Sequence, residues 1–204
     1  ELGGFDPYSA SKVGSEIVAN SYIKSFFQNS NLKNRVATAR AGNVIGGGDF
    51  SKNRLLPDII HSIKHKKKLI VRNPNHVRPW QHVLDPTMGY LILAEKQYKK
   101  KINTNEHSWN FGPNKKNFSK VIDIIKFIKK LEHFNYIFLK TKKFKETKIL
   151  KLNSNKAKKK LNWVSKWNLN QSLKKTLEWN LLVNKGHSAR EVCEKQFLMY
   201  INKK

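Results

Sequence analysis

Helix and strand patterns alternate along this chain, and the alternation predicts an α/β protein: the back half of a doubly wound parallel sheet joined to a small α+β lobe. Three observations carry the prediction. A helical pattern near the start leads into the short apolar run Arg35–Ala41, which reads as a buried strand. That run ends in Gly42-Asn43 and the loop Gly46-Gly47-Gly48-Asp49, a glycine-rich turn at the carboxyl end of a strand. With 204 residues, 39% of them hydrophobic, the chain can bury a core without disulfides or metal.

The elements follow in order. Asp6 is placed to cap a helix and Pro7 to occupy its first turn; Ala10, Val13, Ile17, Tyr22 and Phe26 keep a helical period to about Phe27. After the 35–41 strand and its loop, Pro57-Asp58 opens a helix through His65, followed by the strand Leu69-Ile70-Val71. Asp85-Pro86 starts a helix reaching Tyr98, and Trp109-Asn110-Phe111-Gly112 is a strand entering a turn. Ser119 is expected to cap a helix from Val121 to Leu131, with Tyr136–Leu139 strand-like and residues 147–152 a further strand. Ser154 is expected to cap a short basic helix ending near Trp163. Two helices close the chain, about 170–184 and 189–201, the second with a Ser188-x-x-Glu191 capping box.

Charge and composition exclude several classes. The 41 basic residues outnumber 14 acidic ones, for a net charge of +27. Only six of the 41 are arginine (Arg35, Arg40, Arg54, Arg72, Arg78 and Arg190), and 22 asparagines accompany the lysines. A nucleic-acid reader uses arginine more, because its planar fork matches phosphate and guanine edges. Runs such as Lys66-Lys67-Lys68, Lys99-Lys100-Lys101 and Lys158-Lys159-Lys160 are read as solvated faces, and no nucleic-acid partner is expected. No apolar run approaches bilayer length, so no membrane partner is expected either. The single cysteine, Cys193, fits a reducing, cytoplasmic setting and is expected in the core of the last helix. His61 and His65 are one helical turn apart but lack an evident third ligand, so no metal is expected.

Tyr8 and Lys12 are spaced i, i+4 and project from one helix face. An ammonium beside a phenol stabilises the phenolate, which makes such a pair an acid/base device for an alcohol proton. The same spacing also arises by chance in lysine-rich helices, where it means a packed tyrosine and an exposed lysine.

The surrounding blocks settle which reading to pursue. Asp6-Pro7-Tyr8-Ser9-Ala10-Ser11-Lys12, with Glu16 beyond it, resembles the active-site helix of the extended short-chain dehydrogenase/reductase family. Ala41–Asp49, Arg54–Asp58, Arg78–Pro86, Trp109–Pro113, and Leu150-Lys151-Leu152 with Lys156-Ala157 resemble, in order, the family's CDP-glucose 4,6-dehydratase branch. One mild departure is Asn162, where that branch usually has glycine before a tryptophan.

The resemblance implies a Rossmann-type sheet, NAD as cofactor and CDP-glucose as substrate. It assigns residues 1–48 and 79–112 to the NAD-binding domain and residues 49–78 and 113–204 to the substrate lobe. Tyr8 would take the C4 hydroxyl proton while Lys12 lowers the tyrosine pKa and binds the nicotinamide ribose. The C4 ketone would acidify C5, water would leave from C6, and hydride would return there, giving a 4-keto-6-deoxy sugar of deoxysugar and O-antigen biosynthesis. By motif position Asn43 and Arg78 would contact the pyrophosphate, while Arg54 and Leu55 would line the nucleotide end. Arg35 and Arg72 are read as surface salt bridges, and Trp80 and His82 as packing and orienting residues. No Gly-x-x-Gly-x-x-Gly turn occurs in the 204 residues, so the chain is expected to be a carboxyl-terminal portion, inactive alone. A homodimer or homotetramer is implied, with the Tyr8 helix in the interface. Two other readings stay open: another nucleotide-sugar enzyme of the family, such as an epimerase, and a basic polyanion-binding module.

Overall fold

The computed structural model describes residues 6–27, 36–99, 106–139 and 147–203. Arg35 and most of the Lys99-Lys100-Lys101 run lie outside them. Helix α1, Pro7–Tyr22, begins where expected: Asp6 is extended, its Oδ1 accepts from the Ser9 amide at 3.0 Å, and Pro7 fills the first position, where its missing N–H is not needed. The helix runs into one wider turn, Ile23–Phe27, and Ile23 is buried there.

The strand expected over 35–41 forms over Thr38–Ala41, and a second strand follows directly where a turn was expected. Strand β1, Thr38–Ala41, pairs in parallel with β5, Ser108–Phe111, and β2, Asn43–Ile45, pairs in parallel with β4, Val77–His82. Gly42 is the crossover between the two sheets. A Cβ there would sit 2.5 Å from the Pro79 carbonyl oxygen, so only glycine lets the backbone pass from one sheet to the next. Buried Gln81 of β4 then ties the sheets together, donating from Nε2 to the Phe111 carbonyl at 2.7 Å.

Strand β4 has no counterpart in the sequence reading. Its residues Val-Arg-Pro-Trp-Gln-His carry no clean alternation, yet it is central, with β2 on one edge and antiparallel β6, Phe118–Lys120, on the other. Strands β3, Leu69–Val71, and β7, Tyr136–Phe138, form a third, parallel pair. The strand expected over 147–152 is reduced to a single bridge, Ile149 against Val77.

Helices α2, Leu55–His65, α3, Leu84–Tyr98, α6, Leu169–Asn184, and α7, Ala189–Ile201, match the sequence reading within about two residues. Ser188 caps α7, accepting from the Glu191 amide at 3.4 Å, which is the serine half of the expected capping box. Helix α4 is shorter than expected, Val121–Lys129, and Ser119 does not cap it. Ser119 is committed to β6 opposite Arg78, and its carbonyl accepts from Trp80 Nε1 at 3.2 Å; the Lys120 amide donates to Asp123 Oδ2 at 3.3 Å instead. Ser154 holds the N-cap position of α5, Asn155–Leu161, as expected, but its side chain makes no capping bond: the hydroxyl donates to the Gly112 carbonyl at 3.1 Å. Helix α5 ends at Asn162, whose φ of 56° explains why asparagine can stand in for glycine there.

Two buried clusters hold these elements. The larger joins Leu56 and Ile59 of α2, Ile124, Ile125 and Ile128 of α4, and Leu173 and Leu177 of α6, around β3 and Trp80. The smaller sets Trp109 and Phe111 of β5 against Leu93 of α3 and Leu161 and Trp163. Phe111 meets Trp163 edge-on, with centroids 5.1 Å apart.

Candidate active site

Tyr8 and Lys12 stand on one stripe of α1, both exposed, with Lys12 Nζ 5.3 Å from the centre of the Tyr8 ring. The tyrosine is 72% exposed, so its hydroxyl is open to an incoming alcohol. Two features hold this stripe in place. At its start, hydrogen bonds from Ser9 to Asp6 stabilise the capping carboxylate and lower its pKa.

Two turns past Tyr8, Glu16 grips the amino ends of β1 and β5. Its Oε2 accepts from Thr38 Oγ1 at 2.8 Å and Ser108 Oγ at 3.4 Å, and its Oε1 lies 3.6 Å from Arg40 Nε. None of the residues of α1 is fully buried, so this polar tie matters more than apolar packing in setting where Tyr8 points.

The other candidates lie on the central sheet and the turn beyond it. Asn43 opens β2 opposite Trp80, one residue after the Gly42 crossover. Arg78 sits two positions before Trp80 on β4. Its Nη1 donates to the carbonyls of Val77 at 3.0 Å and Thr147 at 2.9 Å, and its Nη2 lies 3.1 Å from His76 Nδ1. Arg54 precedes α2 and stays 66% exposed, with Asp49 Oδ2 3.6 Å from its Nη1. Leu55, the first residue of α2, is partly buried against the larger cluster. Arg72, read as a surface salt bridge, donates from Nη2 to Asn53 Oδ1 at 2.6 Å, which holds the turn before Arg54.

Trp80 and His82 pack as expected. His82 is 2% exposed, its ring edge-on to Trp167 at 4.6 Å, and its Nδ1 accepts from the Leu84 amide at 3.3 Å. Burial, helped by the Lys175 charge, pushes its pKa down to about 4, so the imidazole is neutral at physiological pH.

A family model described as GDP-mannose 4,6 dehydratase matches residues 2–176. The chain belongs to this family. It is 36% identical over 200 residues to the CDP-glucose 4,6-dehydratase of Salmonella typhimurium, covering 96% of this chain and 55% of that protein. The crystal structure of Bacillus anthracis dTDP-glucose 4,6-dehydratase in complex with NAD superposes with a TM-score of 0.72 at 21% identity, over 94% of this chain and 56% of that one. The UDP-glucose-4-epimerase of Stenotrophomonas maltophila gives a TM-score of 0.75 at 14% identity, over 90% of this chain and 57% of that one. The chain thus spans about half the length of these proteins, and its fold is the Rossmann-type α/β fold that the sequence predicts.

The structural roles of three residues of this GDP-mannose 4,6 dehydratase family member escape sequence reasoning. Glu16 stands out only by its place on the Tyr8 stripe. Asp85, fully buried, accepts from Tyr200 Oη at 2.8 Å, Ser165 Oγ at 2.9 Å and the Lys166 amide at 2.8 Å, joining α3 to the carboxyl-terminal helix. Burial raises its pKa, and these hydrogen bonds work the other way. Trp179 of α6 packs against the Gly47 backbone, a contact that no local pattern announces. Cys193, expected in the core, is exposed, and its Sγ accepts from Trp179 Nε1 at 3.1 Å. The helical period around it pointed inward correctly only for Val192.

Among the described residues, no helix is long and apolar enough to cross a membrane.

Proposed function

We propose that this chain supplies the proton-transfer helix and much of the substrate surface of an NAD-dependent CDP-glucose 4,6-dehydratase. The observation that carries the reading is the Tyr8–Lys12 pair, side by side and exposed on a helix capped by Asp6 and tied down by Glu16. The substrate follows from the likeness to the Salmonella typhimurium protein, which acts on CDP-glucose by name.

In this reading Tyr8 Oη takes the proton of the sugar C4 hydroxyl as C4 is oxidised. Lys12 stabilises the resulting phenolate, with an ammonium that also has hydrogens to offer a ribose hydroxyl. Asn43 and Arg78 hold the pyrophosphate, and Arg54 and Leu55 border the nucleotide. Arg54 is suited to the role, being exposed and opposed by a carboxylate only at 3.6 Å. A guanidinium binds phosphate oxygens in a bidentate fork that a lysine cannot reproduce.

The residues present fit one end of NAD. An exposed phenol and an ammonium on one helical stripe suit the nicotinamide ribose, and the cofactor, when bound, supplies reversible two-electron chemistry at the sugar. The chain spans about half the length of the relatives it matches, and no glycine-rich pyrophosphate turn occurs in these 204 residues, so the proposed chemistry is that of a protein of the relatives' length. Residues 1–48 and 79–112 would serve the cofactor domain, and 49–78 and 113–204 the substrate lobe. A cytoplasmic homodimer or homotetramer is the expected working form.

The test is to incubate the full-length protein with CDP-glucose and NAD and to weigh the sugar nucleotide. Loss of one water, abolished by Tyr8→Phe, supports the reading. An unchanged mass with altered sugar stereochemistry replaces it with an epimerase.

A further inference from the structure

We propose that Trp179 is a positioning residue for the loop that presents Arg54 to the nucleotide. The proposal rests on the role given to Arg54 above and extends it to a residue of the carboxyl-terminal helix. The loop runs from the end of β2 to the start of α2, and its first three residues are glycine because of what they pack against. A Cβ on Gly46 would come within 2.8 Å of Val83 Cγ1, and a Cβ on Gly47 would fall 2.0 Å from Trp179 Cδ2. Gly48, at φ 78°, turns the chain with Trp179 Cη2 3.5 Å from where its Cβ would be.

The backbone of Gly46–Gly48 is therefore clamped between Val83 and the Trp179 ring. Beyond the clamp the loop is braced by itself: Asp49 Oδ1 accepts from the Ser51 amide at 3.0 Å, and Asp49 Oδ2 faces Arg54. The height and tilt of that brace depend on the surface under the glycines, which is the indole.

The indole is itself well fixed. Trp179 is 7% exposed, and its Nε1 donates to Cys193 Sγ on α7. Helices α6 and α7 thus reach across to set the loop, although neither helix contributes a group to the proposed chemistry. A displaced loop moves Arg54 but leaves Tyr8 and Lys12 where α1 and Glu16 hold them. The consequence is a defect in substrate binding without one in the chemical step.

The experiment uses the full-length protein and three variants: Gly47→Ala, Trp179→Ala and the double substitution. Gly47→Ala should raise the KM for CDP-glucose about tenfold while kcat stays within about twofold. Trp179→Ala should raise KM less. The double variant should resemble Trp179→Ala alone, because the new methyl then occupies space the indole has left.

Equal KM values for wild type and Gly47→Ala overturn the proposal, as do strictly additive effects or a fall in kcat. Hydrogen exchange of the 46–54 amides, measured without ligand, reads the clamp directly and needs only the folded Trp179→Ala variant. Exchange about tenfold faster than wild type is expected, and unchanged exchange overturns the proposal even if Gly47→Ala fails to fold. If wild type neither binds nor turns over CDP-glucose while the exchange result holds, the clamp stands and the CDP-glucose reading fails.

Discussion

Acidification should destabilise this fold through His82, and the size of the effect can be worked from the structure. His82 is 2% exposed, with its ring against Trp167 and its Nδ1 occupied by the Leu84 amide. Its pKa falls from 6.5 to about 4 on folding, because burial, and then the Lys175 charge, disfavour the imidazolium. A lowered folded pKa means that the unfolded chain takes up the proton first. The stability contribution is therefore complete above about pH 6.5 and is lost as the pH falls through about 4.

Each pH unit in that window removes about 1.4 kcal/mol, for a total of about 3 kcal/mol, a large share of the usual 5–15 kcal/mol of a domain. Asp85 acts in the opposite sense. Its pKa is raised above 3.8, so its contribution is present below that value and is lost as the pH rises through the folded pKa. A single pH–stability curve mixes the two groups, and His82→Gln separates them. Urea unfolding of wild type and variant, at steps from about pH 7 to about pH 4, should show the wild-type advantage shrinking by about 3 kcal/mol. Curves that run parallel across that window would refute the argument.

Substitutions at three further residues probe the ties that the structure shows. Tyr200→Phe should lower unfolding free energy by about 1.5–3 kcal/mol, since it removes a hydrogen bond to a buried carboxylate. Asp85→Ala should cost about 3–5 kcal/mol, because Tyr200, Ser165 and the Lys166 amide lose their acceptor together; denaturant melts that place either change below 0.5 kcal/mol would contradict this. Glu16→Ala in the full-length protein should lower kcat about tenfold with little change in KM, by loosening the helix that aims Tyr8. Glu16→Gln, which keeps an acceptor for Thr38 and Ser108, should recover most of that loss, and equal kcat for the two variants would remove Glu16 from the account.

How much of the molecule the sequence announces depends on where each element finds its partners. Helices α2, α3, α6 and α7 are legible because their apolar period and flanking residues are local. Strand β4 is not: Arg78, Pro79, Gln81 and His82 look like a loop, and only the strands on both sides make them central. Gly42 looks like a turn after a strand, whereas its task is to pass Pro79 between two sheets. Ser119 and Ser154 have the chemistry of helix caps, but the backbone of Ser119 is committed to β6 and the hydroxyl of Ser154 donates to the Gly112 carbonyl. The Tyr8–Lys12 pair is fully local, an i, i+4 spacing on a capped helix. Trp179 is the opposite case, since its contact with Gly47 joins segments far apart in the chain and leaves no local trace.

The most direct test of the central claim is the mass of the sugar nucleotide after the full-length protein has met CDP-glucose and NAD. Wild type should remove one water, and Tyr8→Phe should leave the mass unchanged. Water loss that persists in Tyr8→Phe, or no reaction of wild type at all, would contradict that claim.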